Sequence, residues 1–133
     1  MKKQTIIFIV CMILISSCQQ ESIEKRAARE AKEFTEKNCP TPPQNNSILD
    51  SIIFDETSRT LTRYFTMVGS ADNADAYIGR NSEFHQALVD DVKNNTNIYA
   101  YKEAGFTFAF VYRSQKEKDR ILYQDRITAN DYQ

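Results

Sequence analysis

Phe106-Thr-Phe-Ala-Phe-Val-Tyr-Arg113, the run FTFAFVYR, is the stretch from which the fold is read. Phe106, Phe108, Phe110 and Tyr112 fall on one side of an extended chain, and Thr107, Ala109 and Val111 on the other. Both sides are largely apolar, so this strand needs cover on two faces and belongs inside a sheet. After it, Ser114 to Asp119 is a charged turn and Arg120 to Ile127 a final, less regular strand. Before it, Asn97 to Lys102 is expected to be a strand that turns at Ala104-Gly105.

Further upstream, Ile48 to Asp55 and Arg59 to Val68 flank Glu56-Thr57-Ser58 and predict a hairpin. Leu61, Phe65 and Met67 share a face with Arg63, while Thr60, Thr62, Tyr64 and Thr66 form the opposite, wetter face. Two helices complete the pattern. Gln19 to Lys37 carries a thin apolar stripe of Ile23, Ala27, Ala31 and Phe34, with Glu21 and Lys25 as an i,i+4 ion pair. Asn81 to Asn94, capped by Asn81 or Ser82, carries Phe84, Leu88 and Val92. Pro40, Pro42 and Pro43 stiffen the first connector, and Gly69 to Arg80 is the longest loop. The expected fold is α+β: an antiparallel sheet of about five strands in the order α-β-β-α-β-β-β, with both helices on one face.

The N-terminal segment belongs to none of this. Lys2 and Lys3 precede TIIFIVCMILISSC, Thr5 to Cys18. The apolar run Ile6 to Ile15 reaches about 15 Å as a helix, half a bilayer's hydrocarbon core. A charged start, a short apolar run and small residues before a cut make a signal peptide. Its end, Ile15-Ser16-Ser17-Cys18, resembles the bacterial lipoprotein signal, whose lipobox reads Leu, a small residue, Gly/Ala/Ser, then Cys. The resemblance covers residues 1–18 and implies lipid attachment at Cys18, as diacylglyceryl on sulphur and a further acyl chain on the new terminus. Two or more chains give a stable membrane anchor. Cys11 fails the pattern because the bulky Val10 precedes it. The chain then divides into a removed signal peptide (1–17), an N-terminal helix with its Pro-rich connector (18–46) and the α+β domain (47–133). Gln19, in place of the Asp that retains enteric lipoproteins at the inner membrane, favours the outer membrane by resemblance.

The chain has 133 residues, with 17 basic and 18 acidic side chains. Losing the first 17 residues removes two lysines, leaving 116 residues of net charge −3, enough for one domain. No basic patch predicts a nucleic-acid partner. With Cys18 lipidated, Cys39 is left alone as a small buried hydrophobe, or else as a reactive or intermolecular thiol.

Little in the sequence carries chemistry. His85 is the single histidine, expected at the surface or the edge of the core, and no metal or cofactor set surrounds it. No local signature supports a Cys39–His85 nucleophile pair. Asp72-Asn73-Ala74-Asp75 lacks the glycine and closing glutamate of a calcium loop and is expected to be solvated. Adjacent Asp90 and Asp91 diverge on a helix. Asp50-Ser51-Ile52 resembles a short envelope O-glycosylation motif of some Gram-negative anaerobes, which would place a glycan on Ser51. Tyr64, Tyr99 and Tyr101 are the candidate partner surface, on an open sheet face. The expected protein is a membrane-anchored, non-catalytic envelope lipoprotein binding a protein or glycan partner. The alternatives are an immunity or inhibitor lipoprotein that neutralises an envelope-acting toxin, and a small hydrolase.

Overall fold

The structure is a computed structural model that describes residues 20–133. The signal segment and the lipid-attachment residue Cys18 lie outside the described residues. Four strands, β1 (Ser47–Asp55), β2 (Thr60–Met67), β3 (Thr107–Ser114) and β4 (Ile121–Ile127), form one sheet in the order β1-β2-β3-β4. The helices are α1 (Ile23–Asn38), α2 (Asn81–Asn94), α3 (Tyr99–Glu103) and α4 (Ala129–Tyr132). Among the described residues no helix is long and apolar enough to cross a membrane.

The fold class is α+β, as expected, but the sheet has four strands and is mixed. β1 pairs antiparallel with β2 and β3 with β4, whereas β2 and β3 run parallel. A parallel pair cannot be closed by a tight turn, so the chain between β2 and β3 crosses over through α2. The predicted strand at Asn97–Lys102 is helical: a 3-10 turn at Thr96–Ile98 runs into α3. Ile98 and Tyr101, both buried, stand three residues apart, which is helical spacing. Asn95 starts the turn by accepting the Asn97 amide through its side chain. Gly105, at φ 75°, ends α3: its amide bonds Lys102 O and the Phe106 amide bonds Tyr101 O. This paired closure needs a left-handed residue just past the helix, where glycine costs least.

β3 is interior, as FTFAFVYR predicts. Phe106 is fully buried, and Phe108, Phe110 and Ala109 are nearly so. Phe54 and Phe106 rings meet at 4.8 Å, and Tyr101 stacks on Phe106 at 5.5 Å. Both long helices lie on this face, since Ala27 and Ala31 of α1 and Val89 and Val92 of α2 join one core with Leu61, Phe108 and Ile127. The stripes differ from expectation. Phe34 is 41 % exposed, and α2 turns Val89 inward while Phe84 faces Tyr77 and Tyr123. Glu21 pairs with Arg29 rather than Lys25, the long guanidinium spanning two turns of helix. α2 has no side-chain cap: its cap residue is Arg80, whose guanidinium grips Glu83 instead. α4 closes the base, with the Tyr132 hydroxyl donating to Phe106 O at 2.7 Å.

The outer edge of β1 is covered by hydroxyls. Thr35 of α1 accepts the Ile52 amide at 2.9 Å and donates to the Ile52 carbonyl at 3.0 Å. Thr41 accepts the Leu49 amide at 3.0 Å, and its own amide reaches Leu49 O. Satisfying an edge in this way keeps it from pairing with other chains.

Candidate functional site

α1 packs chiefly on β1, and α2 on β4 and α4. Between these two footprints the helix-side surface of β2 and β3 is only partly covered, with Arg63, Phe65 and Tyr112 half-buried, and this strip is the floor of a cleft. Arg63 pairs with Phe110 and Phe65 with Tyr112 across the two strands. Phe65 and Tyr112 stack at 5.0 Å with an interplanar angle of 11°. Beside Tyr112 a cavity of about 220 Å³ is lined by Met67, Tyr77, Phe84, Leu88, Tyr112 and Tyr123. Tyr77 lies 5.3 Å from Phe84, and Tyr123 lies 6.2 Å from Tyr112. This is an aromatic slot with few polar groups, the usual make-up of a recognition pocket. Burial raises the Tyr77 and Tyr123 hydroxyls and pushes Tyr112 up to about 12, so all three stay protonated. Tyr77 donates to Ala71 O and Tyr123 to Asp125.

The three tyrosines expected to form one partner surface are dispersed. Tyr64 alone lies on the helix-free sheet face, in a shallow depression with Thr62, Ala109, Val111, Gln124 and Arg126. The Arg113 guanidinium covers its ring at 5.1 Å. Tyr99 is 63 % exposed at the start of α3, off the sheet. Tyr101 is buried against α1 with its hydroxyl bonded to Glu30. The error follows from the misread strand, since helical geometry turns Tyr99 and Tyr101 apart. Ser51 lies across from Tyr64, just past the irregularity in β1, and is half-buried.

His85 sits at the edge of the core, as expected. Its Nδ1 lies 2.7 Å from Asp125 of β4, and its Nε2 3.7 Å from Asp131 of α4. The hydrogen bond to Asp125 holds the imidazole above its ordinary pKa. A histidine that activates a nucleophile needs Nε2 free to take a proton; here that nitrogen faces a carboxylate. Cys39, a free thiol at the end of α1, has its pKa raised by burial and by Asp50 of β1. It is thus on the opposite edge of the sheet from His85. The Asp72 loop differs from its expected solvated state. Asp72 is buried, accepting from Ser114 Oγ at 2.5 Å and the Lys116 amide at 2.9 Å, so it fastens the long loop to the β3–β4 turn. Among the described residues no group of three or more His, Cys, Asp or Glu side chains could hold a metal ion.

From sequence, Tyr112 and Tyr123 fall among late-strand aromatics that could line a ligand surface but more often make core, while Phe84 and Leu88 read as the α2 stripe and Phe65 as a face-mate of Leu61 and Met67. The signal for a site was Arg63, an arginine in a row of Leu61, Phe65 and Met67.

The fold is shared with three solved structures. A Pseudomonas aeruginosa protein assigned as secreted matches with TM-score 0.69 at 15 % identity, over 83 % of this chain and 92 % of that one. EpsS, the pilotin of the Vibrio vulnificus type 2 secretion system, matches with TM-score 0.59 at 14 % identity, over 83 % of this chain and 91 % of its own. AspS, the type II secretion system pilotin of Vibrio cholerae, gives TM-score 0.56 at 14 % identity, over 81 % and 90 %. At such identities the likeness is one of fold. No curated protein matches the sequence. Residues 22–123 match a family described as a domain of unknown function, DUF8479, and the chain belongs to that family.

Proposed function

We propose that this protein is a lipid-anchored, non-catalytic docking module of a bacterial envelope, which holds a segment of a protein partner in the cleft between α1 and α2. The observation that carries this reading is the aromatic slot of Tyr77, Phe84, Tyr112 and Tyr123 beside the stacked Phe65. The fold shared with two pilotins of secretion systems supports it. The lipobox supports the anchor: Cys18 becomes the first residue, acylated, and Gln19 directs it to the outer membrane. Only Gln19, Gln20 and Glu21 separate Cys18 from the α1 cap, Ser22. The domain therefore stands about 15 Å or less from the bilayer surface at full extension of that link.

Photocrosslinking in intact cells tests the docking reading. A photoreactive residue at Ala87, exposed on the rim of the slot, is expected to capture a defined envelope protein. The same residue at Thr62, on the helix-free face, is expected to capture none. Adducts from Thr62 alone, or from neither, reject the cleft. Mass spectrometry of the processed protein tests the anchor separately: a mature terminus other than an acylated Cys18 rejects it.

A further inference from the structure

Arg63 is the residue that packing leaves unexplained. It stands on the helix side of β2, beside Ile52 of β1 and Phe110 of β3, with its guanidinium 5.8 Å from the Phe110 ring. Burial works against its charge, and Asp91 and Tyr112 are the groups whose charge favours it. Among the described residues it makes no hydrogen bond and no ion pair. Arg26, Arg29, Arg59, Arg80 and Arg120, by contrast, each reach a carboxylate at 3.0 Å or less, Arg126 reaches the Thr60 hydroxyl, and Arg113, which also has no ion pair among the described residues, is exposed to solvent. Tyr112 repeats the pattern. The Tyr77, Tyr101, Tyr123 and Tyr132 hydroxyls all find acceptors, while that of Tyr112 finds none among the described residues, a lack shared only by Tyr64 on the helix-free face and the exposed Tyr99. Neither group is sealed in, because no enclosed side-chain nitrogen or oxygen among the described residues lacks a partner. Both are half-buried on the helix side of the sheet.

A charge carried into an apolar cleft without a partner is costly. Arg63 and Tyr112 are diagonal neighbours across the strand pair; the guanidinium offers only donors and the phenol one more, and a carboxylate can accept from both. We propose that Arg63 and Tyr112 form a carboxylate-accepting subsite in the cleft, which holds an Asp or Glu side chain of a partner protein while a neighbouring bulky apolar residue of that partner fills the slot beside Tyr112. Asp91, on α2, is the charged group that opposes this ligand; it lies beyond ion-pair distance of Arg63 and sets how far along the cleft the acid can sit. Glu30 of α1 is already engaged by Arg26 and Tyr101. The subsite rests on the docking reading of the cleft.

The test uses the mature chain and a library of random dodecapeptides displayed internally, so that no free C-terminal carboxylate is present. The expected binders pair an acidic residue with Leu, Phe or Met. As synthetic peptides they are expected to lose tenfold or more in affinity for Arg63→Met, and equally when their acid is changed to its amide. The two changes together are expected to cost no more than either alone, the mark of a direct pair. Asp91→Asn is expected to tighten binding. Arg63→Met is expected to melt at or above the wild-type temperature, because an apolar side chain replaces an unpaired charge. A lower melting temperature assigns Arg63 to the scaffold and overturns the subsite. Binders that ignore Arg63→Met overturn the subsite and leave the docking cleft standing; a library that yields no binder overturns both.

Discussion

His85 ties three elements together, since α2 carries it, β4 supplies Asp125 and α4 supplies Asp131. Its folded pKa is raised above the ordinary value of 6.5 by the Asp125 hydrogen bond. The stabilisation is therefore complete below about pH 6.5 and is lost as pH rises through the higher folded value. The ring is 39 % exposed, so solvent screening keeps the effect near 0.5 kcal/mol. Urea titrations at pH 5.5 and 8.5 are expected to show that difference in the wild type and not in His85→Gln. Equal slopes of stability with pH in the two proteins reject the tie. At this scale the sequence was legible where burial alone decides, as at Phe106 and Phe108. It was illegible where direction decides. The run Tyr99-Ala100-Tyr101 reads equally well as alternating strand or as helix, and only the Ile98–Tyr101 spacing separates the two.

Among the elements, α1 does more than cover the core. Its Thr35 hydroxyl takes the place of a missing strand along β1. Thr35→Val keeps the shape and removes both bonds, at about 1 kcal/mol apiece. The expected result is a loss of about 2 kcal/mol in chemical denaturation, with faster aggregation as the β1 edge opens. A variant as stable and as soluble as the wild type would show that α1 contributes packing alone. The α2 limits were legible from sequence, Asn81 to Asn94, because the Gly69–Arg80 loop precedes it and Asn94-Asn95 ends it. The parallel pairing of β2 and β3 was not. Local turn signals report neighbouring strands, and nothing local in β2 reports that its second partner comes after an intervening helix.

For the molecule as a whole, stability rests on a small aromatic centre around Phe106. Phe106→Ala removes a fully buried ring packed on Phe54 and Tyr101, at about 3–5 kcal/mol. Domains of this kind hold roughly 5–15 kcal/mol in total. The variant is expected to lose its transition midpoint by a large fraction with an unchanged slope, read by urea titration. A shift under about 1 kcal/mol would place the centre of the core elsewhere.

The seam between β2 and β3 has a consequence during synthesis. The first half of the chain delivers one helix and a two-stranded ribbon, and a ribbon of that size is barely stable by itself in water. Leu61 and the side of Phe54 that meets Phe106 then wait, uncovered, while the whole crossover is made. Only when Thr107 and its successors emerge does the ribbon gain a third member and the greasy side close. A nascent chain halted before that point offers a sticky sheet edge to whatever chaperone or protease reaches it first.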